Sequence, residues 1–262
     1  MKKMGNKIIM TVLAITSIVF ASCENSLNGI KGEGTIVTSV TEIGDIEGIQ
    51  LDIIGDVYIT KGQTEGIRIE AQQNILENIN MVVNNKVLSL KFEKNVDKSD
   101  EIKIYINMEH LKEASIGGSG NIWSDDDLNT DETLYVNISG SGNVDIKSDA
   151  PEVEIAISGS GDVKLRTNTQ KLSNSISGSG NIMLGGACTG TTHIAISGSG
   201  NVSAYDFETN SCTTSTSGSG NTKIRVSDAL DVQISGSGNV YYKGYPGINV
   251  QISGSGNLIN AN

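Results

Sequence analysis

The sequence predicts an all-β protein, a right-handed parallel β-solenoid, on three observations. A Gly-Ser-Gly-Asn motif recurs eight times, apolar and polar residues alternate on either side of it, and one such unit is too small to hold a core alone. The copies open at Gly118, Gly140, Gly159, Gly178, Gly198, Gly218, Gly236 and Gly254. They close at Asn121, Asn143, Asp162, Asn181, Asn201, Asn221, Asn239 and Asn257, so only the third ends in Asp. Successive copies lie 22, 19, 19, 20, 20, 18 and 18 residues apart. A fixed period near twenty marks a repeat architecture, in which neighbours bury what one unit cannot.

The flanks define the unit. Val136-Asn137-Ile138-Ser139 precedes the second motif and Val144-Asp145-Ile146-Lys147 follows it. This is the two-residue period of a half-buried strand. Ile155 and Ile157 before the third motif, with Val163 and Leu165 after it, repeat the pattern. So do Val232, Ile234 and Val240 around the seventh. The motif suits a tight turn, because glycine takes positive φ cheaply and Asn tolerates the left-handed region. Two short strands form no core. About eight stacked coils of 18–22 residues do, as a rod of about 38 Å at one strand spacing per coil. The alternative is a string of antiparallel hairpins turned at the motif, which would not need Ser-Gly in register every time.

Residues 1–22 read as a secretory signal: Lys2, Lys3 and Lys7, an apolar run from Ile8 to Phe20, then Ala21-Ser22. The run is too short to span a membrane. Cys23 directly after Ala-Ser fits a lipoprotein signal, with Cys23 as the lipidated N-terminus. An acyl chain holds a protein to a membrane without spanning it. On this reading the protein is exported across the inner membrane of a Gram-negative bacterium and anchored to the outer membrane. The alternative is an ordinary secretion signal. Residues 23–42, rich in Gly, Asn, Ser and Thr, read as a tether unless they join the first coil.

Residues 43–115 carry strands without the motif: Ile49, Leu51 and Ile53; Val57 and Ile59; Ile67 and Ile69; Leu88 and Leu90; Ile102, Ile104 and Ile106. Turn signals fall at Lys61-Gly62-Gln63, Asn84-Asn85 and Asn95 to Asp100, and one helical turn fits between Gln72 and Asn80. Gly55-Asp56-Val57 resembles a degenerate motif. The region reads either as irregular coils continuous with the repeats or as a β-sandwich-like cap. A solenoid end needs such a cover, because it exposes core and strand edges. Residues 116–262 form the repeat solenoid, and no cover follows the last motif.

The repeated Ser-Gly-Ser-Gly-Asn on short strands resembles the putative auto-transporter adhesin, head GIN domain family over roughly residues 45–262. The resemblance implies a pectin-lyase-like right-handed β-helix, a role in cell adhesion, and no catalytic residues.

The residues restrict function further. Net charge is −11, and loss of the three signal lysines takes it to −14. That argues against nucleic acid and against docking on anionic lipid through charge. Cys188 and Cys212 lie at non-equivalent positions in adjacent coils, so a disulfide is not indicated. His110 and His193 stand alone, and no cofactor or metal is expected. Asp125-Asp126-Asp127, placed in a return turn, is the only dense acidic cluster; it reads as a solvated loop or a weak Ca²⁺ site. Asp145, Asp162 and Asp206 are scattered, which disfavours a carbohydrate-active enzyme. Calcium-binding nonapeptide repeats would need two Asp-bearing motifs per coil, and hexapeptide acyltransferases a six-residue period. Thr214, Thr216 and Thr222 should face the core where neighbouring coils have Ile or Val. Tyr241, Tyr242 and Tyr245 near the last motif are either a lid on the core or one contact surface for a partner, a sugar or a second copy. The expected function is therefore a non-enzymatic adhesin or binding module of the cell envelope, with a glycan or protein ligand. A carbohydrate-active enzyme and a structural spacer are the alternatives.

Overall fold

The computed structural model describes residues 29–262. The signal at 1–22 and the lipidation expected at Cys23 lie outside the described residues. The chain is nearly all-β, with stacked parallel coils forming a β-solenoid of about seven turns. Eight motif copies delimit seven full coils.

Each coil contributes one rung to each of two faces. The first face takes the strands that precede the motif. They are β10 (Glu113–Ile116), β12 (Leu134–Ile138), β14 (Glu152–Ile157), the second halves of β15 (Val163–Ile176), β16 (Ile182–Ile196), β17 (Val202–Thr216) and β18 (Thr222–Ile234), and then β20 (Gly247–Ile252). The second face takes the strands that follow it: β11 (Asn121–Asp127), β13 (Val144–Lys147), the first halves of β15 to β18, β19 (Val240–Lys243) and β21 (Leu258–Asn260). All these pairings are parallel, which rules out a string of hairpins. β15 to β18 run from one face to the other, and β16 and β17 take up the corner as register shifts.

The N-terminal region continues both faces and then closes them. It comprises β1 (Ile30–Lys31), β2 (Ile36–Thr41), β3 (Gly48–Leu51), β4 (Asp56–Lys61), β5 (Ile67–Gln72), α1 (Gln73–Leu76), β6 (Ile79–Asn84), β7 (Val87–Phe92), β8 (Val96–Lys98) and β9 (Lys103–Met108). β3 lies between β10 and β7, and β4 between β11 and β9, all in parallel. Beyond them the pairing turns antiparallel: β6 on β7, β5 on β9, and β2 on β5. The region is thus parallel coils next to the repeats and an antiparallel cap beyond them. The hairpin between β6 and β7 turns at Asn85 and Lys86, whose φ of 49° and 63° is the geometry of a primed turn. α1 is the expected helical turn, and its Ile75 is fully buried. The stretch expected as a tether carries β1, paired with β8, and β2 in the large sheet. It joins the cap through β2, which pairs antiparallel with β5 from Ile36 opposite Gln72 to Thr41 opposite Ile67.

The motif glycines overturn one expectation. Positive φ occurs at Gly34, Gly55, Gly62, Gly186 and Gly244, and at none of the motif glycines. What they need is proximity. A Cβ on Gly180 would sit 1.9 Å from the Gly161 carbonyl oxygen of the coil below and 2.9 Å from Ile157 Cγ2. A Cβ on Gly178 would sit 1.9 Å from Gly159 O. The serine between them holds the contact: Ser179 N–H donates to Gly159 O at 3.0 Å, and Ser199 N–H to Gly178 O at 3.0 Å.

One core runs the length of the rod. Like stacks on like: Leu51, Ile116, Ile138, Ile157, Ile176 and Ile196 form one column on successive rungs. Thr214, Thr216 and Thr222 face inward as expected, at 1 % exposure or less. Their hydroxyls find no partner, and the bonded inner pair is instead Thr192 to Thr209 at 2.9 Å. Asn174 is buried between Ile155 and Ile194 with both amide groups unpartnered. The two-residue period through Leu172, Asn174 and Ile176 puts it on the inward row. At the far end Ile248, Val250 and Ile252 continue the columns of Leu230, Val232 and Ile234 yet stay 43–46 % exposed.

Cys188 and Cys212 are both free and buried. Burial pushes the Cys212 thiol up to about 12, with the nearby Cys188 adding to the effect. A thiol that ionises more readily unfolded than folded contributes stability below its unfolded value, and that contribution is lost as pH rises through it. Stability should therefore fall between about pH 9 and 12, and Cys212→Val should flatten that fall in denaturant titrations. Gly180→Ala should cost at least about 3 kcal/mol, by forcing two packed coils apart. Gly256→Ala meets the same 1.9 Å clash, with Gly238 O. It should cost less, because the terminal coil can lift freely. Equal melting temperatures for Gly180→Ala and wild type would refute the stacking account.

Candidate binding surfaces

The asparagine that closes each motif builds a ladder up one corner of the rod. Asn143 Nδ2 donates to Asn121 Oδ1 at 2.8 Å, and the Asn143 N–H donates to the same oxygen at 3.0 Å. The paired bonds recur from Asn201 to Asn181, Asn221 to Asn201, Asn239 to Asn221 and Asn257 to Asn239. Asp162 takes its place as acceptor from both donors of Asn181. A carboxylate has no N–H to give, so only its backbone N–H reaches Asn143 Oδ1, at 3.0 Å. The ladder starts one coil earlier than the motif: Asn121 Nδ2 donates to Asp56 Oδ1 at 2.7 Å. Gly55-Asp56 is thus the degenerate copy its sequence resembles. These side chains are spent on one another, which makes the ladder a structural feature.

The three tyrosines do not form one surface. Tyr242 sits above Ile224 and packs against the core. Tyr241 lies on the outward row, between Lys223 and Ile259. Tyr245, at 90 % exposure, stands in the turn after Gly244, whose φ is 102°. Period-two alternation separates the first two onto opposite sides of the strand. Only Tyr242 serves as the lid.

The outward row of the second face holds a group the sequence reading missed. Arg68, Tyr105, Tyr58 and Trp123 occupy consecutive rungs on β5, β9, β4 and β11. The Tyr58 and Tyr105 rings stack with centroids 5.3 Å apart, and the Arg68 guanidinium lies 3.7 Å over the Tyr105 ring. Such a stack gains quadrupole and cation–π attraction beyond simple burial. The residues are 68, 105, 58 and 123, so only the chain order of the cap brings them together. Asp145 and Lys164 continue the row, joined at 2.8 Å.

Asp125-Asp126-Asp127 closes β11 and is not a return turn; a register shift there lets Asp127 pair with Lys147. Its groups turn to separate partners. Asp126 Oδ2 accepts the Lys61 N–H at 2.8 Å, Lys61 Nζ donates to the Asp127 carbonyl, and Lys147 Nζ donates to the Asp125 carbonyl. Among the described residues no three acidic, His or Cys side chains converge on a metal-sized site.

A wider groove of about 800 Å³ follows a corner of the first face. Its charges are spent on each other. Lys112 bonds Glu47 at 2.5 Å and Glu132 at 2.6 Å, and Lys86 bonds Glu47 at 2.8 Å. The two lysines hold the Glu47 carboxyl below its usual range, and Glu132 and Glu47 raise Lys112.

The model of the family described as putative auto-transporter adhesin, head GIN domain, matches residues 45–182 and again residues 136–246. The overlap of the two matches reflects the internal repeat. A putative adhesin from Parabacteroides merdae is 26 % identical with a TM-score of 0.82, over 89 % of this chain and 99 % of that one. A putative adhesin from Bacteroides fragilis is 25 % identical with a TM-score of 0.70, over 88 % and 100 %. A putative lipid binding protein from Parabacteroides distasonis, 22 % identical with a TM-score of 0.75 over 89 % and 99 %, shares the fold. No curated protein matches the chain.

The ladder predicts a graded response. Asn201→Ala leaves the Asn221 N–H without its acceptor and should lower stability by roughly 1–3 kcal/mol. Asn201→Asp should keep most of it, since Asp162 already fills an equivalent place. Thermal melts of the two variants check both statements.

Proposed function

The chain belongs to the putative auto-transporter adhesin, head GIN domain family, and from that premise we propose that it is a non-enzymatic adhesion module of the bacterial cell envelope. The observation that carries the reading is the outward row of Arg68, Tyr105, Tyr58 and Trp123 on consecutive rungs. Aromatic side chains supply contact area at low entropic cost, and a parallel sheet presents them with little left to order on binding. The adhesin names of the neighbours from P. merdae and B. fragilis agree with it.

An enzymatic role has weaker support. Glycoside hydrolysis needs two carboxylates facing each other across a bond. Here Asp145 is paired with Lys164, Asp162 belongs to the ladder, and Glu47 and Glu132 share Lys112. A lipid cargo also fits poorly, because the interior between the faces is filled by stacked Ile, Val and Leu.

Ala21-Ser22-Cys23 supports an acyl anchor. It would attach the capped end of the rod to the outer membrane. Cells producing the protein should adhere to immobilised glycans or matrix proteins better than cells without it. Cells carrying Cys23→Ser should release it into the soluble fraction. Equal adherence with and without the protein would overturn the adhesion reading, and membrane retention of Cys23→Ser would overturn the anchor.

A further inference from the structure

Between Tyr58 and Trp123 lies a shallow cleft of about 260 Å³. We propose that it binds a neutral glycan, with pyranose rings laid against the two aromatic side chains and hydroxyls donated to the carboxylates around them. The proposal deepens the adhesion reading, and rests on it, by naming the ligand class and the place.

The aromatic walls come first. β4 lies between β9 and β11, so Tyr58 stands between Tyr105 and Trp123. Tyr105 covers one face of Tyr58, and Arg68 backs Tyr105 from beyond. The column is fixed from behind, and Trp123 stands on the rung at the other side of Tyr58. Aromatics make up only 4 % of this chain, yet three occupy successive rungs of one row. From Tyr105 to Trp123 the row spans about 10 Å at two strand spacings, the reach of a short oligosaccharide.

The polar rim selects the ligand. Asp125, Asp126 and Asp145 line the same cleft. Asp126 is held through one oxygen by the Lys61 N–H and Asp145 through one oxygen by Lys164, both at 2.8 Å. Each keeps a second oxygen, and a carboxylate only accepts. The ligand must therefore bring donors. An anionic glycan would face three carboxylates on a chain of net charge −11. The Lys61 and Lys147 ammonium groups rest on the Asp127 and Asp125 backbone carbonyls beside the cleft and Lys164 on the Asp145 carboxylate, so positive charge already flanks these acids and a cationic ligand would meet it. A neutral polyol, apolar on its C–H face and rich in O–H donors, suits both the rings and the rim.

Trp123 is the only tryptophan of the chain, so its emission reports on this cleft directly. The purified protein is titrated with neutral oligosaccharides from an array, with their sialylated and sulfated counterparts, and with chitosan oligomers as the cationic probe. Neutral oligosaccharides should shift Trp123 emission and shield it from acrylamide. Trp123→Ala and Tyr58→Ala should each weaken binding about tenfold or more. Asp125→Asn should weaken it by a smaller factor, and Tyr241→Ala, further along the row, should leave it unchanged. The emission titration needs no variant, so a misfolded mutant does not spoil the test. A neutral glycan bound at wild-type affinity by Trp123→Ala, with wild-type emission undisturbed, overturns the site and leaves the adhesion reading standing. Binding only of charged glycans or only of protein ligands overturns the ligand class in the same way. A protein that binds no ligand and confers no adherence overturns both.

Discussion

The whole rod depends on how closely one coil's backbone approaches the next at the motif. Seven successive Gly-Ser-Gly turns sit so tightly on the turn below that a Cβ at any of their first glycines would fall 1.8–2.0 Å from a carbonyl oxygen. Glycine is required for contact there, and dihedral freedom plays no part. That contact sets the coil spacing at the corner, and the spacing sets everything stacked on it. The serine N–H bonds, the Asn ladder and the Ile columns all repeat at the distance glycine permits. The tolerated variation lies elsewhere. The corner opposite the motif absorbs extra residues as register shifts, which is why the interval can range from 18 to 22 residues.

A rod built this way has the problem of its ends. At the N-terminal end the chain stops adding parallel coils, folds back antiparallel on both faces, and plugs the gap with Ile75 of α1. The parallel rungs just above the reversal carry an aromatic row. β4 is threaded between β9 and β11, which places side chains from residues 58, 105 and 123 side by side. In the repeats the motif corner shows the same Gly, Ser and Asn coil after coil. Recognition of a particular ligand needs departures from that sameness, and these rungs supply them.

Polar groups divide by whether the stack can satisfy them. A motif asparagine finds its partner in the asparagine one coil away, so the amide serves the fold. Asn174, Thr214, Thr216 and Thr222 occupy core columns between aliphatic neighbours and find none. Burial without a partner costs free energy, and the rod carries these residues against that cost. No physical account of their presence follows from the packing.

By itself the sequence determined the repeat, the parallel stacking, the inward rows of the strands, the helical turn near Gln73, and Gly55-Asp56 as a degenerate motif. All of these follow from spacing and from the two-residue period, which are local and written in chain order. Tertiary structure decided the rest. The motif reads as a turn signal because glycine permits turns, but the demand on it comes from a carbonyl one coil away. Three nearby tyrosines look like a patch, and strand alternation scatters them to the core, the face and the turn. The column of Arg68, Tyr105, Tyr58 and Trp123 had no signal in the sequence at all. Its members lie on the parallel strands β9, β4 and β11 and on β5, which returns antiparallel, and pairing between distant strands is not encoded in any local period.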